Sequence, residues 1–251
     1  MQGFVGYLPT KESIFVVFRG STSIGDWLNN LDALLTDYPL CRDCRVHKGF
    51  YLAQQSAMSL VRSAVQTLKQ QFPSYRVVVT GHSLGAALAT LTALQLHAEG
   101  PEETVRLFHF GSPRVGNTAF ATFASKTLAD RSRLTHHKDM VPHCPMHERC
   151  VNVYVHLCMD VCVCVYACVD ICMYMLSVCV CEYMHMTNPH PALLLPHPSR
   201  FTHHSGEWYE DASGLRQCEG LEDSSCSYQW SLTNVDDHMH YLGLYMACSA
   251  V

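Results

Sequence analysis

The stretch VVVTGHSLGAALAT, residues 77–90, decides how this chain folds around its candidate site. Residues 77–80 are a β-branched run, which is typical of a buried strand. Residues 84–98 are rich in alanine and leucine, which favour a helix. A serine at the turn between such a strand and helix, with glycines two residues away on each side, is the G-x-S-x-G nucleophile elbow. The pattern predicts that the Ser83 hydroxyl is presented at the strand tip, beside the positive end of the helix dipole.

A serine nucleophile needs a histidine base and an acid that orients the base. The chain has 16 histidines, so the residue type alone decides nothing. In sheet hydrolases with this elbow the chain order is serine, then acid, then histidine. Downstream, THHKDMVPHCP (135–145) offers Asp139 after a strand-like run, and NVDDHMHYLG (234–243) offers His238.

At this point the sequence resembles the fungal-type, Rhizomucor-lipase-like class 3 lipase family. The matching pieces, in family order, are IFVVFRGSTSIGDWLNNLD, VHKGFYLA, VVVTGHSLGAALA, FHFGSPRVGN, HHKDMVPHCP, HHSGEWY, CEGLEDSSC and DDHMHYLG. The resemblance covers residues 3–145 and about 200–248. It implies an α/β-hydrolase fold in one domain, with a mostly parallel central sheet and helices on both faces. By the same match, Ser83 is the nucleophile, Asp139 the acid and His238 the base.

Two backbone N–H groups are candidates for the oxyanion hole. The Leu84 N–H opens the helix after the elbow and faces an oxyanion formed at Ser83. Ser21, in FRGSTS, corresponds to the residue after glycine in the family's RG[ST] turn, which the resemblance makes the second donor.

The segment SIGDWLNNLD, residues 23–32, is amphipathic. Its apolar residues recur at spacings of three and four and therefore share one helical face: Ile24, Trp27, Leu28 and Leu31. In the family this segment is a lid that covers the serine in water and meets lipid when open. The alternative is a helix packed permanently on the core.

The rest of the chain alternates predicted strands and helices, as in a mostly parallel sheet. Strands are expected at residues 14–18, 105–110 and from 133, and helices at about 49–71 and 117–128. The packed face of the first of these helices is expected to carry Phe50, Ala53, Ala57, Leu60, Val61, Ala64 and Leu68. Because Ser21, Ser83 and Asp139 all follow strands, they are expected at the carboxyl edge of the sheet, where such folds place their sites.

Composition agrees with a globular enzyme. The net charge is −5 with no basic patch, so no nucleic-acid partner is expected, and no phosphate-loop motif is present. Serine acyl transfer needs no cofactor, and none is expected. We expect a carboxylic ester hydrolase, most simply a triacylglycerol lipase working at a lipid–water interface. The alternatives are a feruloyl-type esterase on the same fold and an inactive, truncated or misannotated chain.

Two features depart from the family pattern. The family normally has further helix and strand before the point where this chain begins, and no signal peptide precedes the first matched strand, so we expect a gene model that starts late.

Residues 146–199 alternate valine and cysteine and hold eight of the 14 cysteines. A membrane helix and a metal or disulfide module are possible interpretations, but the cysteine spacings fit no zinc pattern. Since Val-Cys repeats are what a GTGTGT repeat encodes, we hypothesise a translated retained intron.

Six cysteines lie outside that insert: 41, 44, 144, 218, 226 and 248. The resemblance suggests disulfides within CEGLEDSSC, between Cys218 and Cys226, and between Cys41 and Cys44. The latter C-x2-C could also be a redox or metal half-site, but no second C-x2-C accompanies it, and no metal is expected. Because disulfides persist in oxidising compartments, the parent protein is expected to be secreted.

Overall fold

The computed structural model describes residues 2–21, 34–100, 105–145 and 201–246. In that part of the chain the strands are β1 (Gly3–Leu8), β2 (Ser13–Phe18), β3 (Leu35–Asp37), β4 (Arg45–His47), β5 (Arg76–His82), β6 (Val105–Phe110), β7 (Gly116–Asn117), β8 (Arg131–His136), β9 (Phe201–Thr202), β10 (Glu207–Asp211), β11 (Gly214–Gln217), β12 (His240–Tyr241) and β13 (Leu244–Tyr245). The α-helices there are α1 (Lys48–Gln71), α2 (Leu84–Glu99) and α3 (Thr118–Thr127).

The main sheet has the strand order β1-β2-β5-β6-β8-β10-β11. The five central strands, from β2 to β10, run parallel to one another, while β1 and β11 pair antiparallel at the two edges. The predicted α/β class with a mostly parallel sheet is therefore confirmed. The parallel register brings the carboxyl ends of β2, β5, β6 and β8 to one edge, with His82 opposite Phe110 and Phe110 opposite Leu134.

Helix α2 lies at the centre of the packing. It contacts β2, β5 and β6 as well as α1 and α3. Every residue from Gly85 to Leu94 is buried, which explains why its alanines and leucines occur all round the helix rather than on one stripe. The predicted helix at 84–98 and the predicted strands at 77–80 and 105–110 match the observed elements closely.

Helix α1 is amphipathic, and its first turn is capped by the His47 ring, which accepts a hydrogen bond from the Phe50 N–H. Its bounds agree with the prediction, but the packed face was partly wrong. Leu60 is 75% exposed, whereas Gln54 and Met58 are buried. The buried face of α1 is the one that contacts α2 and the sheet. Single leucines are common on protein surfaces, so a leucine at a helical spacing need not belong to that face.

The two chain segments on either side of residues 146–200 meet within the described structure. The β9 strand pairs with β7, and β10 pairs with β8. The His203 Nε2 lies 2.7 Å from the Pro142 carbonyl oxygen. The hypothesis on residues 146–199 itself lies outside the described residues. Among the described helices, none has both the length and the apolar character needed to cross a bilayer.

Candidate active site

Ser83 lies at the turn between β5 and α2, with a backbone φ of +58°. That left-handed conformation is costly for a residue with a side chain, and the surrounding glycines explain how the turn is held. A Cβ on Gly81 would overlap the Gly85 carbonyl, and a Cβ on Gly85 would overlap the Phe18 carbonyl at the end of β2. Both glycines therefore allow strand, turn and helix to approach closely, and Ser83 stands at the carboxyl edge of the sheet.

Asp139 and His238 form a buried pair. The His238 Nδ1 lies 2.9 Å from both carboxylate oxygens of Asp139, and the two side chains are at most 1% exposed. A carboxylate only accepts hydrogen bonds, so Nδ1 carries the proton and Nε2 is left as the acceptor. Asp139 also accepts hydrogen bonds from the Val141 N–H at 2.8 Å and from the Tyr241 hydroxyl. The imidazole is thus fixed in the tautomer that a general base requires.

The acid-bearing and base-bearing loops are tied together by main-chain and carboxylate contacts. The Asn234 N–H donates to the Lys138 carbonyl at 2.9 Å. The Asp237 carboxylate accepts from the Lys138 N–H at 3.0 Å and lies 3.0 Å from the His137 Nδ1. Asp237 therefore holds the turn that follows β8 against the 3-10 helix Asp237–Met239, which carries His238.

Gly111, directly after β6, lies against this pair with a φ of +53°. A Cβ at this position would be 2.8 Å from the His238 Cε1 and 2.9 Å from the Asp139 Oδ2. Any side chain there would push Asp139 and His238 out of place. Gly111, the first glycine of the GSPRVGN segment, is therefore required by the packing of Asp139 and His238.

The Ser83 Oγ and the His238 Nε2, the two atoms that would exchange a proton, are both buried. Among the described residues, neither the Ser83 Oγ nor the His238 Nε2 has a hydrogen-bond partner. Hydrogen bonds between nucleophile and base are often long in ligand-free sites and shorten when substrate binds. A serine beside a correctly oriented imidazole is suited to covalent acyl transfer.

The candidate oxyanion turn lies against the elbow. A Cβ on Gly20 would be 3.1 Å from the Ser83 Cβ, so the turn after β2 directly borders Ser83. Ser21 follows in that turn and is half-buried, and Leu84 begins α2 directly after Ser83. The predicted lid residues Ile24, Trp27, Leu28 and Leu31 lie outside the described residues.

His82 was missed by the sequence analysis, although it stands inside the elbow motif. Its Nε2 lies 2.9 Å from the His238 carbonyl oxygen, and its ring stacks on the His238 ring with centroids 4.4 Å apart. Burial, with the neighbouring His238 as a second cause, lowers the pKa of His82 to about 4. The imidazole is therefore neutral at physiological pH.

Two buried ion pairs support the loops behind the site. Arg114, in the GSPRVGN segment, binds Glu222 through its Nε at 2.8 Å and also donates to the His143 carbonyl at 2.7 Å. Although burial opposes it, the Arg114 charge lowers the pKa of Glu222 below its ordinary value. Arg133 pairs with Glu207 at 2.8 Å, with both side chains almost fully buried.

Three further histidines are buried next to these pairs, and no sequence pattern singled them out. The His109 and His204 Nε2 atoms are 3.1 Å apart, so one must donate and the other accept. Burial, followed by the Arg133 charge, lowers the pKa of His204 to about 3. The same two causes hold the pKa of His203 well below its ordinary value.

The structure pairs Cys218 with Cys226 and Cys41 with Cys44. Cys218, Asp223 and Cys226 are the one His, Cys, Asp or Glu group in the described residues close enough together to hold an ion. Since a metal ligand must be a thiolate and both sulfurs form the disulfide, that group does not fit a metal. Cys248 lies outside the described residues.

The fold and the arrangement of serine, histidine and aspartate at its carboxyl edge define the class: an α/β-hydrolase. The family described as lipase (class 3) matches residues 15–149, which is more than half of the chain. The chain belongs to the class 3 lipase family.

Individual curated relatives agree with the match to the class 3 lipase family. A lipase of Rhizomucor miehei is 39% identical over 139 residues, which are 54% of this chain and 38% of the relative. The secreted mono- and diacylglycerol lipase 1 of Fusarium solani is 37% identical over 147 residues, which are 57% of this chain and 43% of the relative. The chain therefore spans less than half the length of these curated relatives.

Solved structures give the same family. The Rhizomucor miehei triacylglyceride lipase superposes with a TM-score of 0.71 at 28% identity, covering 97% of this chain and 76% of that one. A second solved structure, at 29% identity and a TM-score of 0.71, is of a triacylglycerol lipase whose catalytic centre is formed by a serine protease triad; it is matched over 97% of this chain and 76% of that one.

Proposed function

We propose that this chain is a serine hydrolase that cleaves the carboxylic esters of acylglycerols. One observation carries the proposal: the His238 Nδ1 lies 2.9 Å from both oxygens of the buried Asp139 carboxylate. This leaves the His238 Nε2 free to accept a proton, next to an elbow that presents a serine at φ +58°. A surface histidine–carboxylate pair would need neither the burial nor the Gly111 gap that accommodates it.

In the proposed mechanism His238 takes the proton from the Ser83 hydroxyl as the serine oxygen attacks the ester carbonyl. Asp139 orients the ring and stabilises the imidazolium. The tetrahedral intermediate collapses to an acyl-enzyme as His238 returns the proton to the leaving alcohol. Water then attacks the acyl group, with His238 as base, and the carboxylic acid is released.

The main-chain N–H groups of Ser21 and Leu84 are proposed to bind the oxyanion. The closeness of Gly20 to Ser83, where an added Cβ would be 3.1 Å from the Ser83 Cβ, supports this role for Ser21. The position of Leu84 at the start of α2 supports it for the second donor. Loss of one such donor typically lowers the rate by about a hundred- to a thousandfold.

The names of the relatives support lipid esters as substrates. One is a triacylglyceride lipase, and two are secreted mono- and diacylglycerol lipases, from Fusarium solani and Penicillium cyclopium. With two disulfides in the described residues, these names support a parent protein that acts outside the cell at a lipid–water interface. Residues 24–31 are proposed as its interfacial lid, and residues 146–199 as an insertion into a single hydrolase domain.

The first test is labelling with a fluorophosphonate probe. We would express the full 251-residue chain and a form without residues 146–199, each with and without Ser83→Ala. Labelling that disappears in Ser83→Ala supports the proposal for that form. If only the shortened form is labelled, the serine hydrolase proposal holds for that form, and the chain with residues 146–199 is a defective product. If neither form is labelled, the proposed activity of these residues is wrong.

The substrate class is tested with p-nitrophenyl esters of increasing acyl length and with emulsified acylglycerols. A lipase prefers long acyl chains and becomes faster when an oil interface forms. A preference for feruloyl esters over acylglycerols would contradict the proposed substrate class while leaving the serine mechanism intact.

A further inference from the structure

His82 is the residue directly before the nucleophile, and it contacts the base from two directions. Its Nε2 lies 2.9 Å from the main-chain oxygen of His238. Its ring stacks on the His238 ring at a centroid distance of 4.4 Å and an interplanar angle of 28°. On its other side, a Cβ on Gly20 would be 3.3 Å from the His82 Nδ1. One side chain thus lies between the candidate oxyanion turn and the base.

The hydrogen bond fixes the state of His82. A carbonyl oxygen can only accept, so the His82 Nε2 must carry a proton. The ring is neutral at physiological pH, because burial lowers its pKa to about 4. The groups facing it are His238, Tyr241 edge-on at 5.8 Å, and the Asp139 charge behind them. His82 is therefore a neutral Nε2–H tautomer, packed flat against a ring that must become positively charged.

We propose that His82 is a positioning residue that holds the His238 imidazole at the angle from which it takes the Ser83 proton. The inference rests on the proposed function. The hydrogen bond fixes the main chain at His238, and the stacked ring limits rotation of the imidazole about its side-chain bonds. Because the His82 ring is neutral, it does not repel the His238 imidazolium, whereas a second positive charge at this distance would disfavour that cation.

The two contacts can be removed separately. The variant His82→Gln keeps an N–H donor of similar reach but has no ring, and His82→Phe keeps a ring but has no donor. His82→Leu has neither. A remote histidine on α2 provides the control, since His97→Gln changes the same residue type away from the site.

The measurements are kcat and KM for p-nitrophenyl butyrate and the rate of fluorophosphonate labelling. Because a misplacement of about 1 Å can cost about a hundredfold, we expect His82→Leu to lower kcat and the labelling rate by about a hundredfold, with KM unchanged. His82→Gln and His82→Phe should each remain about tenfold faster than His82→Leu, and His97→Gln should match the wild type. The inference is wrong if His82→Leu reacts at the wild-type rate. It is also wrong if neither His82→Gln nor His82→Phe is faster than His82→Leu, or if His97→Gln is as slow as His82→Leu.

Nitrogen-15 NMR of the histidine rings in the unaltered chain gives a test that needs no variant to fold. We expect His82 to remain a neutral Nε2–H tautomer between about pH 5.5 and 8. An Nδ1–H tautomer, or a titration midpoint near the ordinary histidine value of about 6.5, would overturn the inference. The outcomes separate the two claims: an unlabelled wild-type chain refutes the proposed function, while normal labelling with an altered His82 state refutes only the positioning role.

Discussion

Replacing Gly111 by alanine tests the geometry of the site at one atom. The new Cβ would lie 2.8 Å from the His238 Cε1, whereas ordinary contacts begin at 3.4 Å, so the ring must move by about 0.6 Å. Since a misplacement of about 1 Å can cost about a hundredfold in rate, a loss of ten- to a hundredfold is expected. The left-handed φ of +53° adds strain of about 1–2 kcal/mol, and overpacking adds about 1–3 kcal/mol.

Gly220 provides a matched control, because its φ is +69° and no atom of the described residues lies within 4 Å of a Cβ there. Gly220→Ala carries the backbone strain without the contact. By thermal unfolding, we expect Gly111→Ala to lower Tm by about 4–20 °C and Gly220→Ala by about 2–8 °C. Only Gly111→Ala should slow fluorophosphonate labelling. Wild-type labelling of Gly111→Ala, or equal losses of Tm in the two variants, would refute the reasoning.

Three further predictions concern groups around the site. Tyr241→Phe removes a hydrogen bond to the Asp139 carboxylate, so kcat for a soluble ester should fall about tenfold with KM unchanged; an unchanged kcat would contradict this role. Glu222→Gln leaves the Arg114 charge buried without its partner and should lower the free energy of unfolding in urea by about 3 kcal/mol, whereas a loss below 1 kcal/mol would mean that the pair contributes little. Because the pKa of His204 falls from 6.5 to about 3 on folding, the unfolded chain binds the proton first, and stability should decrease as pH falls from about 6.5 towards 3. His204→Gln should flatten that dependence by about 1.4 kcal/mol per pH unit, and an unchanged slope would refute the assignment.

Much of the fold could be predicted because its signals are local. A β-branched run, a glycine-bounded serine and an alanine-rich helix lie next to one another in residues 77–98, and the sheet forms around them. The edge strand β1 and the antiparallel β11 were not predicted, because nothing local distinguishes an edge partner from a loop. Leu60 shows the limit of helical periodicity, since a surface leucine on α1 fits the pattern as well as a buried one does.

Local patterns predicted Ser83 and Leu84, whereas the roles of the rest of the candidate site came from the family resemblance. Asp139 and His238 are 99 residues apart, and no local pattern predicts that their side chains meet. The sequence analysis missed His82 and Tyr241 because their roles depend on contacts across the fold. Asp237 adjoins His238 in the sequence, and that position alone does not predict its contacts. Asp237 holds the acid and base loops together, an arrangement that only the position of the Lys138 N–H reveals.

The meeting of the two flanks of residues 146–200 has a consequence for engineering. Their anchor points, at Pro142 and His203, touch within the hydrolase fold. Long insertions at anchored ends cost little closure entropy, so this junction is a natural place for a guest domain. A guest whose ends move apart when it binds a small molecule would pull on the loop that carries Asp139. The rate of the proposed ester hydrolysis would then report the concentration of that molecule.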